Sequence, residues 1–126
     1  MIKLLLVDDE KGLCEYLKDF FKLRGFGVLT ANNGQEAVGL VKKERPRIVF
    51  LDINMPGMSG LEALKEIKKI DSSIKVIMLT VMDDERTRLE AARLGADEFI
   101  TKPFATDYLE EVVTSKIGEL LREKER

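Results

Sequence analysis

Five polar residues lie where short apolar runs of this sequence end. Asp8 and Asp9 follow the run LLLV, Asp52 follows IVFL, Thr80 follows VIML, and Lys102 follows EFIT. Taken singly, each has an ordinary interpretation as a turn residue or a surface charge. Apolar runs of this length are typical of strands buried on both faces of a parallel sheet. Because open α/β sheets bind ligands at the carboxyl ends of their strands, the five side chains are predicted to meet at one edge.

The residue types in this predicted cluster suit a cation and a phosphoryl group. Three carboxylates held close together repel one another, which raises their pKa values unless a cation lies among them. The sequence has no histidine and a single cysteine, so oxygen ligands favour Mg²⁺, with Mn²⁺ as a possible substitute. The Lys102 ammonium and the Thr80 hydroxyl would stabilise a phosphoryl group in transfer, and a carboxylate can be its nucleophile.

Composition excludes several other classes of function. The chain has 126 residues, enough for one domain with a core, and 35% of them are charged with a net charge of −2. A surface of mixed sign predicts no direct binding of nucleic acid. No apolar run approaches the roughly 20 residues that span a bilayer, and the N-terminus has no signal-peptide pattern. We therefore expect a cytoplasmic protein without a membrane association. The absence of histidine excludes Ser-His and Cys-His nucleophile systems.

The elements that must position these residues alternate along the chain. Five predicted strands alternate with five predicted helices, which indicates an α/β fold with a doubly wound parallel sheet and helices on both faces. Capping boxes at Asn33 and Ser59 predict two helix starts. A fourth helix is predicted to begin at the acidic residues 83–85 and to turn Leu89, Ala92 and Leu94 inward. The predicted strands are Lys3–Val7, Gly27–Thr30, Ile48–Asp52, Lys75–Leu79 and Asp97–Thr101.

The chain resembles the receiver domain of bacterial two-component response regulators over essentially its whole length. The resemblance lies in the motifs VDDE, LDINMPGMSG, LTVMDDE and GADEFITKPF. It implies a flavodoxin-like strand order 2-1-3-4-5. It also implies a receiver domain over residues 1–120. Residues 121–126 then form the charged end of the last helix, which either packs on the domain or begins a linker to an output domain.

The resemblance assigns the carboxylates their roles. Asp52 resembles the phosphoacceptor of the family, and Asp9 and Asp52 resemble its metal-binding carboxylates. Asp8 would hold a metal-bound water, and the backbone carbonyl of Asn54 would complete the metal site. The implied activity is Mg²⁺-dependent transfer of a phosphoryl group from a histidine kinase, a phosphotransfer protein or a small phosphodonor. Such a module catalyses its own phosphorylation and dephosphorylation and is not an enzyme that acts on a separate metabolite.

The resemblance also implies a switch. Thr80 corresponds to the hydroxyl that moves to bind the phosphoryl group, and Lys102 corresponds to its ion-pair partner. Phe99 occupies the aromatic switch position, where the ring must act by packing because it lacks a hydroxyl. The Lys102-Pro103 bond is expected to be cis. The readout would be the face of the fourth helix, fifth strand and fifth helix, about residues 83–121, through partner binding or a homodimer.

Two other classes of function use a similar fold or a similar nucleophile. An Mg²⁺-dependent phosphatase with an Asp nucleophile needs a second acid two residues after the nucleophile, and Asn54 stands there. A flavin-binding module on the same fold needs a loop rich in Ser, Thr and Gly after the first strand. Here that loop begins with Asp8, Asp9 and Glu10, which would repel a phosphate. Both alternatives are therefore less favoured than the receiver interpretation.

A branched residue next to the predicted switch threonine leads to one kinetic prediction. Val81 follows Thr80, where many receiver domains carry Ala or Gly. The branched side chain would narrow the access of water to a phosphoryl group on Asp52. We expect slower autodephosphorylation in the wild type than in Val81→Ala, measured as the decay of the phosphoprotein. Equal lifetimes of the two proteins would contradict this idea.

Overall fold

The predicted alternation of strands and helices is confirmed. The computed structural model describes residues 1–80, 85–119 and 122. Its parallel sheet has the strand order β2-β1-β3-β4-β5. The strands are β1 Lys3–Val7, β2 Gly27–Ala31, β3 Ile48–Asp52, β4 Lys75–Thr80 and β5 Glu98–Thr101. The helices are α1 Lys11–Lys22, α2 Gly34–Glu44, α3 Gly60–Ile70, α4 Glu85–Arg93 and α5 Thr106–Glu111, which continues as a π-helical segment Val112–Ile117.

The strands are apolar on both faces because each face of the sheet is covered by helices. Along β1, Leu4 and Leu6 belong to the core cluster that α1 and α5 cover, with Leu17 and Leu109 among its members. Leu5 and Val7 point the other way and share a second cluster with residues of α2, α3 and α4. This two-sided burial explains why the strands appear in the sequence as continuous apolar runs.

The strand register aligns the carboxyl ends of the central strands. Val7 is opposite Leu51 in the pairing of β1 with β3, and Asp52 is opposite Leu79 in the pairing of β3 with β4. Thr80 is opposite Thr101 in the pairing of β4 with β5. The residues that follow these positions therefore emerge at the same edge of the sheet.

The two predicted helix N-caps are confirmed. The Asn33 side chain accepts a hydrogen bond from the backbone N–H of Glu36 at 2.8 Å. The Ser59 side chain accepts one from the backbone N–H of Glu62 at 3.2 Å. Each cap satisfies one of the N–H groups that a helix start leaves without an intrahelical partner. The capping residues Asn33 and Ser59 therefore determine where α2 and α3 begin.

The Asn33 cap gives a prediction for stability. Asn33→Ala is expected to lower the free energy of unfolding by about 1 kcal/mol, since one N–H at the start of α2 loses its acceptor. Urea denaturation measures this change. Asn32→Ala is the matched control, because Asn32 is exposed and precedes the cap. An equal loss in both variants would show that the capping bond contributes nothing.

The predicted inward face of α4 is wrong in two of three positions. Leu89 is 63% exposed and Ala92 is exposed, whereas Ala91 is buried. Leu94, beyond the helix, does pack against the core. Leu89, Ala91 and Ala92 are the apolar residues of α4, and they lie within a single turn. Their spacing therefore does not determine which side of this short helix faces the core. The acidic residues 83 and 84 of the predicted helix start lie outside the described residues.

The last helical segment contains a feature that periodicity did not predict. Val112 and Ile117 are both buried although they are five residues apart. A π-helix has more residues per turn than an α-helix, so its wider turn brings this spacing onto one face. Leu120 and residues 121 and 123–126 lie outside the described residues. The proposed division at residue 120 therefore stays a prediction. Among the helices of the described residues, none combines the length and the hydrophobicity that a membrane span requires.

Candidate functional site

Three carboxylates meet at the carboxyl edge of the sheet. Asp8 and Asp9 follow β1, and Asp52 is the last residue of β3. One carboxylate oxygen of each lies within 4.8 Å of the others. Asp8 and Asp52 are only 2% and 6% exposed, whereas Asp9 is exposed. The chain thus concentrates negative charge at a place where two of the three groups have lost most of their water.

Backbone N–H groups hold the two buried carboxylates in place. Asp8 Oδ1 accepts a hydrogen bond from the N–H of Glu10 at 2.9 Å. Asp52 Oδ1 accepts one from the N–H of Asn54 at 3.2 Å. The start of α3 packs closely against the backbone of Asp52. A Cβ on Gly60 would lie 2.2 Å from the Asp52 carbonyl oxygen. Only glycine permits this approach, so α3 and the loop before it fix the backbone that carries Asp52.

Lys102 supplies a cation to the cluster. Its Nζ donates to Asp8 Oδ2 at 2.7 Å and lies 3.6 Å from Asp52 Oδ2. Its backbone N–H donates to the Thr80 carbonyl oxygen at 2.7 Å, which holds the residue beside β4. The following peptide bond, Lys102-Pro103, is cis. Lys102 therefore joins the two buried carboxylates from the side of β5.

Negative charge exceeds positive charge in the cluster. Burial raises the pKa of Asp52 to about 6, and the negative charges of Asp8 and Asp9 add to this effect. Lys102 and the N–H of Asn54 act in the opposite direction. Burial alone would lower the pKa of Lys102, but its hydrogen bond to Asp8 and the charge of Asp52 raise it above the usual value. One ammonium facing three carboxylates leaves the cluster able to accept further positive charge.

The donor set fits a hard divalent cation. Carboxylate oxygens from Asp8, Asp9 and Asp52 are close enough to share one ion. Mg²⁺ binds oxygen ligands and is commonly held by one or two carboxylates, with water filling the remaining positions. Asn54 lines the same cleft and is exposed there. The residues present are therefore of the kind that holds Mg²⁺.

The cluster lines a cleft of about 780 Å³. Residues of α1 and of the segment that follows β5 line it as well. There the Tyr16 hydroxyl and Thr106 Oγ1 are hydrogen bonded at 3.0 Å, which links α1 to α5. The cleft has room for a side chain or small molecule that presents a phosphoryl group to the acids. Its remaining lining residues are Leu13, Pro103 and Phe104 beside the acidic and basic residues already described.

The two predicted switch residues lie on β4 and β5, and neither is among the residues that line the cleft. Thr80 is fully buried, and its strand neighbour is Thr101, the residue before Lys102. Phe99 is half-buried and packs against the core on the side of α2, α3 and α4. Val81 lies outside the described residues, as do Asp83 and Asp84, so the prediction for Val81 remains untested.

The structure adds residues that sequence patterns did not indicate. Arg88 of α4 lies over the Phe99 ring, with its guanidinium carbon 5.2 Å from the ring centroid. Tyr16 and Thr106 close one side of the cleft. No spacing rule predicts such contacts, because each joins residues from different elements. Burial raises the pKa of the Cys14 thiol to about 11, and the negative charge of Asp8 adds to this effect.

Comparison with known proteins identifies the family. The sequence model of the response regulator receiver domain matches residues 4–114. The chain belongs to this family. A curated relative, "Probable transcriptional regulator ycf27" from Guillardia theta, is 41% identical over 108 residues, which cover 86% of this chain and 42% of the relative. The receiver domain thus spans less than half of that relative.

Solved structures agree with the family and the fold. A CheY-like response regulator receiver domain protein from Methanospirillum hungatei JF-1 has a TM-score of 0.91 and 27% identity, covering 98% of both chains. NtrX from Brucella abortus has a TM-score of 0.88 and 32% identity, covering 98% of this chain and 29% of NtrX. The resemblance inferred from the motifs is therefore confirmed, and this receiver domain is a module of two-component signalling. Membership in this family favours a signalling module over a phosphatase or a flavin-binding module.

Proposed function

We propose that this receiver domain accepts a phosphoryl group on Asp52. The donor is the phosphohistidine of a sensor histidine kinase or a phosphotransfer protein, or a small molecule such as acetyl phosphate. The observation that carries the proposal is the position of Asp52, which is buried, lines the cleft and has its Oδ2 3.6 Å from the Lys102 ammonium. Two further carboxylates flank it, and the cleft admits a donor from solvent.

The transfer needs an ionised carboxylate and a stabilised phosphoryl group. With a pKa of about 6, Asp52 is mostly ionised at neutral pH. A carboxylate oxygen attacks phosphorus and forms an acyl phosphate, while the bond from phosphorus to the donor nitrogen or oxygen breaks. The leaving group takes that electron pair. Lys102 then moves from the carboxylates toward the phosphoryl oxygens, and the Thr80 hydroxyl completes their coordination.

The acid cluster has a second task in this proposal. Asp8, Asp9, Asp52 and the backbone carbonyl of Asn54 would hold Mg²⁺ or Mn²⁺, whose charge offsets the repulsion between the carboxylates and the incoming phosphoryl oxygens. Asp8 would orient a water in that site, as its buried carboxylate is already fixed by the N–H of Glu10. The same pocket would later admit the water that hydrolyses the acyl phosphate, so the domain catalyses its own dephosphorylation.

The output of the domain would be a change at the face of α4, β5 and α5. Phosphorylation biases a pre-existing equilibrium through contacts that differ between its two states. The shifted face would bind a partner protein or form a homodimer. We place the protein in the cytoplasm, where kinases and small phosphodonors are available, without nucleic-acid or membrane contacts of its own.

Chemical trapping of the phosphorylated residue tests the proposal. The protein is incubated with acetyl phosphate and Mg²⁺, reduced with borohydride and digested, so that an aspartyl phosphate is read out as homoserine. We expect homoserine at residue 52 alone. Reaction at Asp8 or Asp9 in the wild type would contradict the assignment of the nucleophile, since all three carboxylates lie within reach of one another.

A further inference from the structure

Helix α4 buries few of its own described side chains. Among the nine described residues of α4, Ala91 is the one buried side chain. Leu89, the largest apolar residue of the helix, is 63% exposed. Apolar burial supplies most of what holds a helix in place within a domain. The position of α4 must therefore depend strongly on its polar contacts.

Arg88 makes such contacts from α4 to β5. Its guanidinium carbon is 5.2 Å from the centroid of the Phe99 ring, within the range of a cation–π interaction. One guanidinium nitrogen of Arg88 donates to Thr101 Oγ1 at 3.2 Å. Phe99 and Thr101 are two apart on one strand, so their side chains point to the same face of the sheet. A single half-buried side chain therefore holds α4 against two positions of β5.

The contacts of Arg88 are connected to the candidate site through Thr101 of β5. Thr101 is the strand neighbour of Thr80 and precedes Lys102. The Lys102 N–H is bonded to the Thr80 carbonyl oxygen at 2.7 Å. A displacement of the Thr80 or Lys102 backbone toward a phosphoryl group would act on the backbone of Thr101. The Arg88 contact would carry that displacement to α4.

We propose that Arg88 is a positioning residue that clamps α4 to β5 through Phe99 and Thr101 and couples α4 to the state of Thr80. The clamp follows from the contacts of the unmodified protein. The coupling rests on the proposed phosphorylation of Asp52. The two parts are therefore tested in separate arms of one experiment.

The first arm measures amide hydrogen exchange across residues 85–93 in the unmodified protein. Exchange reports local opening of a segment separately from global unfolding. We expect Arg88→Gln to accelerate exchange in α4 about fivefold, as the loss of one cation–π contact and one hydrogen bond predicts. Exchange in β1 and β3 should stay unchanged. Thr101→Val should accelerate α4 exchange in the same direction, and Thr101→Ser, which keeps the hydroxyl, should restore the wild-type rate.

Arg93→Gln is the matched control. It removes the same charge from the same helix, but Arg93 is exposed and pairs with Glu90 within α4. Equal exchange in Arg88→Gln and Arg93→Gln would overturn the clamp. Should Arg88→Gln fold poorly, the comparison of Thr101→Val with Thr101→Ser decides the same question without altering α4.

The second arm repeats the exchange measurement after treatment with acetyl phosphate and Mg²⁺. Intact mass determines how much of each variant carries an adduct. We expect the ratio of α4 exchange rates between phosphorylated and unmodified protein to differ from one in the wild type and to approach one in Arg88→Gln. An unchanged ratio in Arg88→Gln would overturn the coupling. No adduct in the wild type would instead overturn the proposed phosphorylation and the coupling that rests on it, while the first arm still decides the clamp.

Discussion

Asp52→Asn is expected to stabilise the metal-free protein at pH 8 by up to about 3 kcal/mol. Burial and the charges of Asp8 and Asp9 raise the pKa of Asp52 from 3.8 to about 6. A difference of that size corresponds to about 3 kcal/mol between the protonated and ionised forms. The amide removes one negative charge and keeps an oxygen that can accept the N–H of Asn54. Urea denaturation in EDTA measures the gain.

The pH dependence of this gain has a defined sign. The folded protein binds the Asp52 proton more tightly than the unfolded chain does, so ionisation of Asp52 lowers stability as pH rises through about 6. The wild type carries the full penalty above that value and none below about 3.8. The difference between Asp52→Asn and wild type should therefore be largest at pH 8 and should vanish near pH 3.5.

Two comparisons test whether the gain in stability is specific to the carboxylate of Asp52. Asp19→Asn removes an exposed carboxylate from α1 and should change stability by less than about 0.5 kcal/mol. Saturating Mg²⁺ should stabilise the wild type more than Asp52→Asn and so reduce the gap between them. A wild type that is more stable than Asp52→Asn at pH 8 in EDTA would contradict the account of a crowded acid cluster.

Lys102→Gln should lower the free energy of unfolding and at the same time raise the affinity for Mg²⁺. Its ammonium is 2.7 Å from Asp8 Oδ2 and 3.6 Å from Asp52 Oδ2, and the side chain is 13% exposed. Removing one partner of a buried ion pair leaves uncompensated charge and costs about 3–5 kcal/mol. The same change removes a cation that competes for the carboxylates. We expect Mg²⁺ affinity to rise about tenfold, or about 1.4 kcal/mol.

Calorimetric titration with Mg²⁺, together with urea denaturation in EDTA, measures both effects. Lys65→Gln is the control, since it removes an exposed lysine from α3 and should change neither quantity. A variant that is merely misfolded would lose stability and metal affinity together. Weaker Mg²⁺ binding by a folded Lys102→Gln protein would therefore show that the lysine does not compete with the metal ion.

The sheet and the acid cluster were predictable from the sequence for one physical reason. Parallel strands buried on both faces must be continuous apolar runs, and the runs here end on Asp52, Thr80 and the acids after β1. Parallel direction then brings those ends to one edge. The N-caps Asn33 and Ser59 could also be predicted from the sequence, because capping depends on neighbours only three residues away.

Features that depend on distant contacts were not predictable in this way. The rotation of α4 is set by packing of Ala91, which its own short sequence does not distinguish from Ala92. The π-helical segment Val112–Ile117 buries two residues that are five apart, a spacing that α-helical periodicity does not predict. The Arg88 contact with Phe99 joins two elements, and the Tyr16 bond to Thr106 joins two others. None of these has a local pattern from which it could be inferred.

The most direct test of the central claim is the intact mass of the protein after incubation with acetyl phosphate and Mg²⁺. Asp52→Asn and a sample with excess EDTA are run in parallel, and circular dichroism verifies that each sample is folded. Phosphorylation of Asp52 predicts one labile phosphoryl adduct in the wild type and none in either control. A folded wild type that gains no adduct, from acetyl phosphate or from a phosphorylated histidine kinase, would contradict the account. So would an adduct of equal yield on Asp52→Asn.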